Sequence, residues 1–321
     1  MKKPPPLGPN AFESHHAFFV CERIGQEGWL PYHQIRLPID DLGFRQSVTA
    51  VERLRTYSRK PFLMDEHWTR LHQTLELIGV GRSVAERIAP ANDHLLSCEA
   101  LSERVQELFD RNAELVDSEG EIGITVWVTP GDRVGARPSM AVHLNRIDPQ
   151  LVRSRMKHGQ PVVLTDVVQP DEASWPRRAK VRCRLHYFLA DSAARQAAED
   201  ATGVLKDTDG SWTESGIANL GLVIDNEIFL APQDRVLPGI TQGHLISISA
   251  SLGISVRRRP LTTEMIRRAE TVILTGTDSG IWFANAVYQS SDGAVANIRE
   301  FDRPDARSVL RRLQNAMPSG Q

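Results

Sequence analysis

Cysteine is scarce: Cys21, Cys98 and Cys183 are the only three in 321 residues, and no two share a CxxC spacing. Three is an odd number for a disulfide framework, so reduced thiols in a cytoplasmic protein are expected. Long apolar runs are also missing, since no stretch approaches the roughly 18 continuous apolar residues of a membrane span. Met1-Lys2-Lys3-Pro4-Pro5-Pro6 carries charge without an apolar segment behind it and does not read as a signal peptide. Net charge is small as well. Lys and Arg number 38 against 40 Asp and Glu, and the resulting -2 gives no footprint for nucleic acid or an anionic membrane. His15-His16 and His143 lack metal-ligand spacing, so no metal is expected. Repeats and low-complexity tracts are not seen.

What remains is ordinary globular composition, 41% apolar and 24% charged, in a chain long enough for two domains. A tail over 1–14, a small domain over 15–148, a polar and basic linker over 149–160 and a large domain over 161–321 are expected. In the first half, strand-like runs fall at 18–22, 34–39 and 48–57. Trp68, Leu71, Leu75 and Ile78 recur at helical spacing and predict a helix over 65–78. Leu101, Val105 and Leu108 mark a second over 99–116. Ile122, Ile124, Val126 and Val128 alternate as a half-buried strand does, and Thr129-Pro130-Gly131-Asp132 ends it. The second half predicts a strand at 162–168, a helix over 185–202, and a hairpin of 220–224 and 227–230 about Asp225-Asn226. A helix over 241–252 and strands at 254–258 and 272–275 follow. Mixed strands and helices in both halves give an α/β (α+β) class.

Four segments carry candidate chemistry. Val51-Glu52-Arg53-Leu54-Arg55-Thr56-Tyr57 is followed by Pro61-Phe62 and His67-Trp68-Thr69-Arg70-Leu71. Then come Thr213-Glu214-Ser215-Gly216-Ile217-Ala218-Asn219-Leu220, Leu237-Pro238-Gly239-Ile240-Thr241 and Leu274-Thr275-Gly276-Thr277-Asp278-Ser279-Gly280. Singly, each has a plain reading: a solvated arginine, a solvated glutamate, a threonine helix cap, a small-residue turn. In this order they resemble the class-IV aminotransferase family, whose relatives include branched-chain and D-amino acid aminotransferases and aminodeoxychorismate lyase.

The resemblance implies pyridoxal 5'-phosphate (PLP) fold type IV, with a smaller N-terminal α/β domain and a larger C-terminal domain built on a mixed-sheet pseudo-barrel. It assigns the cofactor phosphate to Arg70, whose guanidinium offers a planar fork of donors. Glu214 is to face the pyridine nitrogen and keep it protonated, making the ring a better electron sink. Asn219 belongs to the same segment, although serine and glycine at 215–216 look exchanged relative to the family and Ala218 replaces a serine. Gly239, Ile240 and Thr241 open a helix whose N-terminus suits a phosphate. Gly276 and Thr277 bring backbone amides and a hydroxyl to it, and Tyr187 matches a tyrosine near the cofactor's phenolic oxygen. A homodimer, an amino acid and a 2-oxo acid as partners are implied too.

The lysine departs from the pattern. The family's lysine precedes an "NYL" segment by three or four residues, and the positions that match here hold Cys183 and Arg182, ahead of His186-Tyr187-Phe188. Neither forms an imine. Lys180, six residues before His186, is the expected Schiff-base residue. It reaches the site if the helix begins a turn earlier, so that 180 and 183 share a face, or if the loop carries an insertion. A solvated lysine beside Arg177 and Arg178 is the alternative, and it implies PLP binding with little turnover. The segment 128–133 lacks the arginine–histidine pair by which members acting on D-amino acids resemble one another. Branched-chain transamination and the lyase reaction both stay open.

Overall fold

The structure, a computed structural model, describes residues 11–80, 96–132, 137–291 and 294–318. Two compact units divide the chain: Met1–Ile147 with Ala179–Cys183 and Gly320–Gln321, and Asp148–Arg178 with Arg184–Ser319. Most of the expected tail, residues 1–10, lies outside the described residues. Residues 11–14 form a helical turn, and Phe12 packs against the core of the first unit.

The first unit is one antiparallel sheet with helices on it. Its strands are β1 (His16–Cys21), β2 (Gln26–Pro31), β3 (Ala50–Tyr57), β4 (Lys60–Pro61), β5 (Ile122–Thr129) and β6 (Ser139–Arg146), in the order β2-β1-β6-β5-β3-β4. The alternating residues Ile122, Ile124, Val126 and Val128 have no exposed surface. They pack against Trp68, Leu71 and Leu75 of helix Met64–Leu77 and Leu101, Val105 and Leu108 of helix Cys98–Arg111. Burial contributes about 1.5–3 kcal/mol for each such large apolar side chain, so the two apolar stripes suffice to seat the helices.

Two expectations are corrected here. The helix expected over 99–116 breaks at Asn112, followed by helix Ala113–Glu119. The Asn112 side chain turns to bridge the backbone of His16, accepting its N–H at 2.8 Å and donating to its carbonyl at 2.9 Å. The strand expected at 34–39 is absent. Tyr32–Gln34 forms a 3-10 turn, and the edge strand lies earlier, at β2, whose Gly28 and Pro31 weaken the pattern on an edge that tolerates both.

The second unit holds β7 (Gln160–Val168), β8 (Thr202–Lys206), β9 (Trp212–Ser215), β10 (Asn219–Ile224), β11 (Glu227–Leu230), β12 (Val256–Arg258), β13 (Thr271–Gly276), β14 (Gly280–Ser291) and β15 (Ala294–Glu300). The strands β10-β13-β14-β7-β8-β9 follow one another, and the pair Asn219↔Glu214 joins β9 back to β10. This closes a six-stranded mixed barrel, in which β7 runs parallel to both its neighbours. Helices Ile240–Ser251 and Val309–Ala316 cover one face through Leu245, Val309, Leu310 and Leu313, over Val223, Ile273, Ile281 and Phe283. The alternating residues Leu220, Leu222, Leu274 and Trp282 join Val162, Leu164 and Val204 in a separate core.

Where a linker was expected over 149–160, Pro149–His158 is a helix. It buries no apolar stripe and is specified at its ends instead. Asp148 accepts from Gln150 N and Leu151 N, Pro149 opens the first turn, three basic residues close the last, and Gly159 follows at φ 76°. The helix expected over 185–202 stops at Ala194. Gly203 lies so close to Ala190 that a Cβ there would overlap the Ala190 carbonyl, so packing of β8 overrides the alanine-rich helical propensity of 193–198.

Candidate active site

In the first unit, charged groups converge beneath the helix Met64–Leu77. Glu52 of β3 has no exposed surface, and both its oxygens are engaged by that helix. Arg70 donates through Nε to Oε1 and through Nη2 to Oε2, each at 2.8 Å, and His67 Nδ1 donates to Oε2 at 2.7 Å. Burial alone would raise the Glu52 carboxyl, but the Arg70 charge and hydrogen bonds from Arg70 and His67 overcome it and carry it to about 2. Burial lowers His67, and the charges of Arg70 and Lys180 push the same way against Glu52. Arg70 is thus buried at 5% exposure, not a solvated helix-face residue, and Glu52 fixes the plane of its fork.

Lys180 belongs to this unit. Its segment is extended, not helical: Val181 bridges Ala50, Val51 N–H donates to the Lys180 carbonyl at 2.9 Å, and Arg182 N–H donates to the Thr49 carbonyl at 3.0 Å. The Lys180 N–H donates to Thr74 Oγ1 at 3.1 Å. A helix starting one turn early is therefore not what carries Lys180, because the following helix begins at Leu185. Lys180 is half-buried and within electrostatic reach of His67.

In the second unit, Glu214 sits at the pair that closes the barrel, 3% exposed. Its carboxylate accepts from Tyr187 Oη at 2.9 Å, Asn219 Nδ2 at 2.7 Å, Gln169 Nε2 at 3.3 Å and the Leu237 N–H at 3.1 and 3.2 Å. Burial raises the Tyr187 phenol well above its ordinary value and the Glu214 charge adds to it, so the phenol stays a donor. Arg184 lies over the Tyr187 ring at 4.7 Å and donates to the Gly216 carbonyl, tying the turn after Glu214 to the helix Leu185–Ala194. Ser215 closes that turn, accepting from Ile217 N and Ala218 N, which accounts for a serine at this position.

Two glycines allow the neighbouring segments to crowd in. A Cβ at Gly239 would overlap the Asn219 side-chain oxygen, and one at Gly276 would overlap the Ile217 carbonyl. So Asn219, Gly239 and the helix start at Ile240–Thr241 share one place, and Gly276 meets the 215–218 turn. Gly239 is the N-cap, with no side-chain cap, so Thr241 does not cap the helix. Its first turn leaves N–H groups without intrahelical partners. Thr277 lies in the turn from β13 to β14, where Arg155 Nη1 holds Ser279 Oγ at 3.0 Å.

The sequence model of the class IV amino-transferases matches residues 49–287, most of the chain. This protein belongs to the class IV aminotransferase family. A probable branched-chain-amino-acid aminotransferase of Rickettsia bellii is 26% identical over 75% of this chain and 78% of its own length. A D-alanine aminotransferase of Bacillus licheniformis is 22% identical over 88% and 92%. The branched-chain aminotransferase structure from Escherichia coli superposes with a TM-score of 0.77 at 21% identity, covering 96% of this chain and 95% of that one, and shows the same two-domain fold. This aminotransferase thus moves an amino group between an amino acid and a 2-oxo acid.

Class IV aminotransferases are PLP-dependent, and the donor set of this aminotransferase fits such a group. Gln169 Oε1 and Thr275 Oγ1, on side chains each 4% exposed, are buried and make no hydrogen bond among the described residues, so polar capacity is held in reserve beside Glu214 and Gly276. Sequence reasoning missed Gln169, Thr74 and the pairing of Glu52 with Arg70. The one available signal was for Gln169, a polar residue directly after the apolar pair Val167-Val168 that ends β7.

Proposed function

We propose that this aminotransferase binds PLP and that Lys180 is its reactive amine. Glu214 carries the reading: a carboxylate at the barrel's closure, held by donors from four residues, is built to face a protonated ring nitrogen. Bound PLP supplies an electron-accepting ring for charge developing at the substrate α-carbon. Glu214 holds the proton at the ring nitrogen, with Asn219 fixing its second oxygen. Tyr187, which the family resemblance puts near the phenolic oxygen, holds Glu214 through its one hydroxyl proton. The N–H groups of Ile240 and Thr241, and Thr277, are proposed for the phosphate, while Gly239 and Gly276 let the backbone approach; Arg70 is proposed for it on the family resemblance alone. Lys180 moves the proton at the α-carbon. Borohydride reduction of the PLP-loaded protein followed by peptide mapping is expected to place the label on Lys180, and Lys180→Ala to lose both label and turnover. A label on another lysine would end this assignment.

Branched-chain amino acids are the proposed amino donors, supported by the relatives named for them; leucine, isoleucine and valine are expected to outrun D-alanine with 2-oxoglutarate as acceptor. A homodimer is proposed as well. Leu185, Phe188 and Leu189, one face of the helix Leu185–Ala194, lie open, and light scattering on the eluting protein should return twice the 35.8 kDa chain mass. Three free thiols favour a reducing, cytoplasmic location.

A further inference from the structure

We infer that Thr74 is a positioning residue for Lys180, its hydroxyl fixing the backbone from which the amine is delivered. The inference rests on Lys180 being the reactive amine. The segment 179–183 has little structure of its own, a single bridge between Val181 and Ala50. Lys180 is held on both sides of its Cα: Val51 N–H meets its carbonyl, and its own N–H meets Thr74 Oγ1. The first bond belongs to a strand edge and any residue at 51 other than proline supplies it. The second depends on one side chain.

Thr74 has no exposed surface and stands between Leu71 and Leu75, both core residues. A hydroxyl there costs free energy unless bonded, and an apolar side chain of the same shape would serve packing as well. Thr74 also lies one turn beyond Arg70 on the same helix face, and Arg70 lies one turn beyond His67. One rigid helix therefore sets the Arg70 fork through Glu52 and the Lys180 backbone through Thr74. A lysine amine hangs on four torsions, so a Cα free to drift spreads the amine over positions from which proton transfer fails. Misplacement by about 1 Å costs up to roughly a hundredfold in rate.

The test compares Thr74→Val, which keeps shape and loses the acceptor, with Thr74→Ser, which keeps the acceptor, in the full chain loaded with PLP. For Thr74→Val the expected results are a shift in the pH titration of the visible chromophore, slower borohydride labelling of Lys180, and kcat lower by about ten- to a hundredfold with KM for the amino acid little changed. Thr74→Ser should restore all three. Hydrogen exchange on the wild-type protein adds a reading independent of any variant: the Lys180 amide should be protected, and rapid exchange there overturns the inference even if Thr74→Val does not fold. Lys180 labelled normally, with a folded Thr74→Val matching wild type in titration and kcat, overturns the role of Thr74 alone. Label absent from Lys180 in the wild type overturns both readings.

Discussion

Glu52 is a carboxylate without exposed surface, shared between a guanidinium and an imidazole. Removing one partner of such a buried pair leaves an uncompensated charge, at a cost of about 3–5 kcal/mol. Glu52→Gln is expected to lose stability on that scale in urea denaturation and to weaken PLP binding, because the Arg70 fork loses the carboxylate that orients it. A loss below about 1 kcal/mol would mean that Arg70 finds another anchor. Gln169 sets a milder case. It donates a single long hydrogen bond to Glu214 at 3.3 Å, so Gln169→Leu should leave folding nearly unchanged while PLP affinity falls about fivefold, the equivalent of about 1 kcal/mol for one weak bond to a charged group. Fluorescence titration with PLP reads it directly. Unchanged affinity would make Gln169 a packing residue.

Elements differ in how they announce themselves. The helix Met64–Leu77 and the strand β5 were legible because one face of each is apolar at a fixed period, and Arg70, Glu214 and Thr241 stood out as candidates because motifs surround them. The helix Pro149–His158 has no buried residue, so periodicity could not find it; its caps were the only signal. Asp148→Ala should therefore cost about 1 kcal/mol, measurable as a loss of amide protection confined to that helix, and global unfolding at the same denaturant concentration would be unaffected by so local a change. Gly239 tests the turn before helix Ile240–Ser251. Its φ is −67°, which any residue adopts, so its need for glycine comes from the Asn219 oxygen alone. Gly239→Ala should weaken PLP binding and shift the Glu214–Asn219 hydrogen bond, and Gly239→Ala combined with Asn219→Ala should recover stability that the single change loses. The Thr74–Lys180 and Glu52–Arg70 contacts escaped the sequence for another reason: they join residues 106 and 18 positions apart, and such pairs leave no local pattern.

Across the whole molecule, buried ionisable groups make acid the sensitive variable. Burial lowers His15, His67, His143 and His186 from 6.5, taking His143 and His186 to about 4. Unfolding frees these rings to bind protons that the fold refuses, so between 6.5 and about 4 the unfolded chain takes up more protons and stability falls with pH. Their contribution is complete above 6.5, and for His143 it is on the order of 3 kcal/mol. Glu52 acts lower down. Its carboxylate is held at about 2 against 4.5, so its contribution is complete above 4.5 and disappears as pH falls toward about 2. Melting temperature followed from roughly pH 8 to pH 3 should hold level, then decline from about pH 6.5, and steepen below about pH 4.5 as Glu52 joins. His143→Gln should make the upper limb shallower and leave the lower one intact, whereas Glu52→Gln should remove the steepening below about 4.5 and, by taking away the carboxylate that opposes the lowering of His67, leave the upper limb no shallower. A melting temperature that stays constant from 6.5 down to 4.5 would show that these imidazoles gain their protons without leaving the fold, through local opening that the packed structure does not reveal.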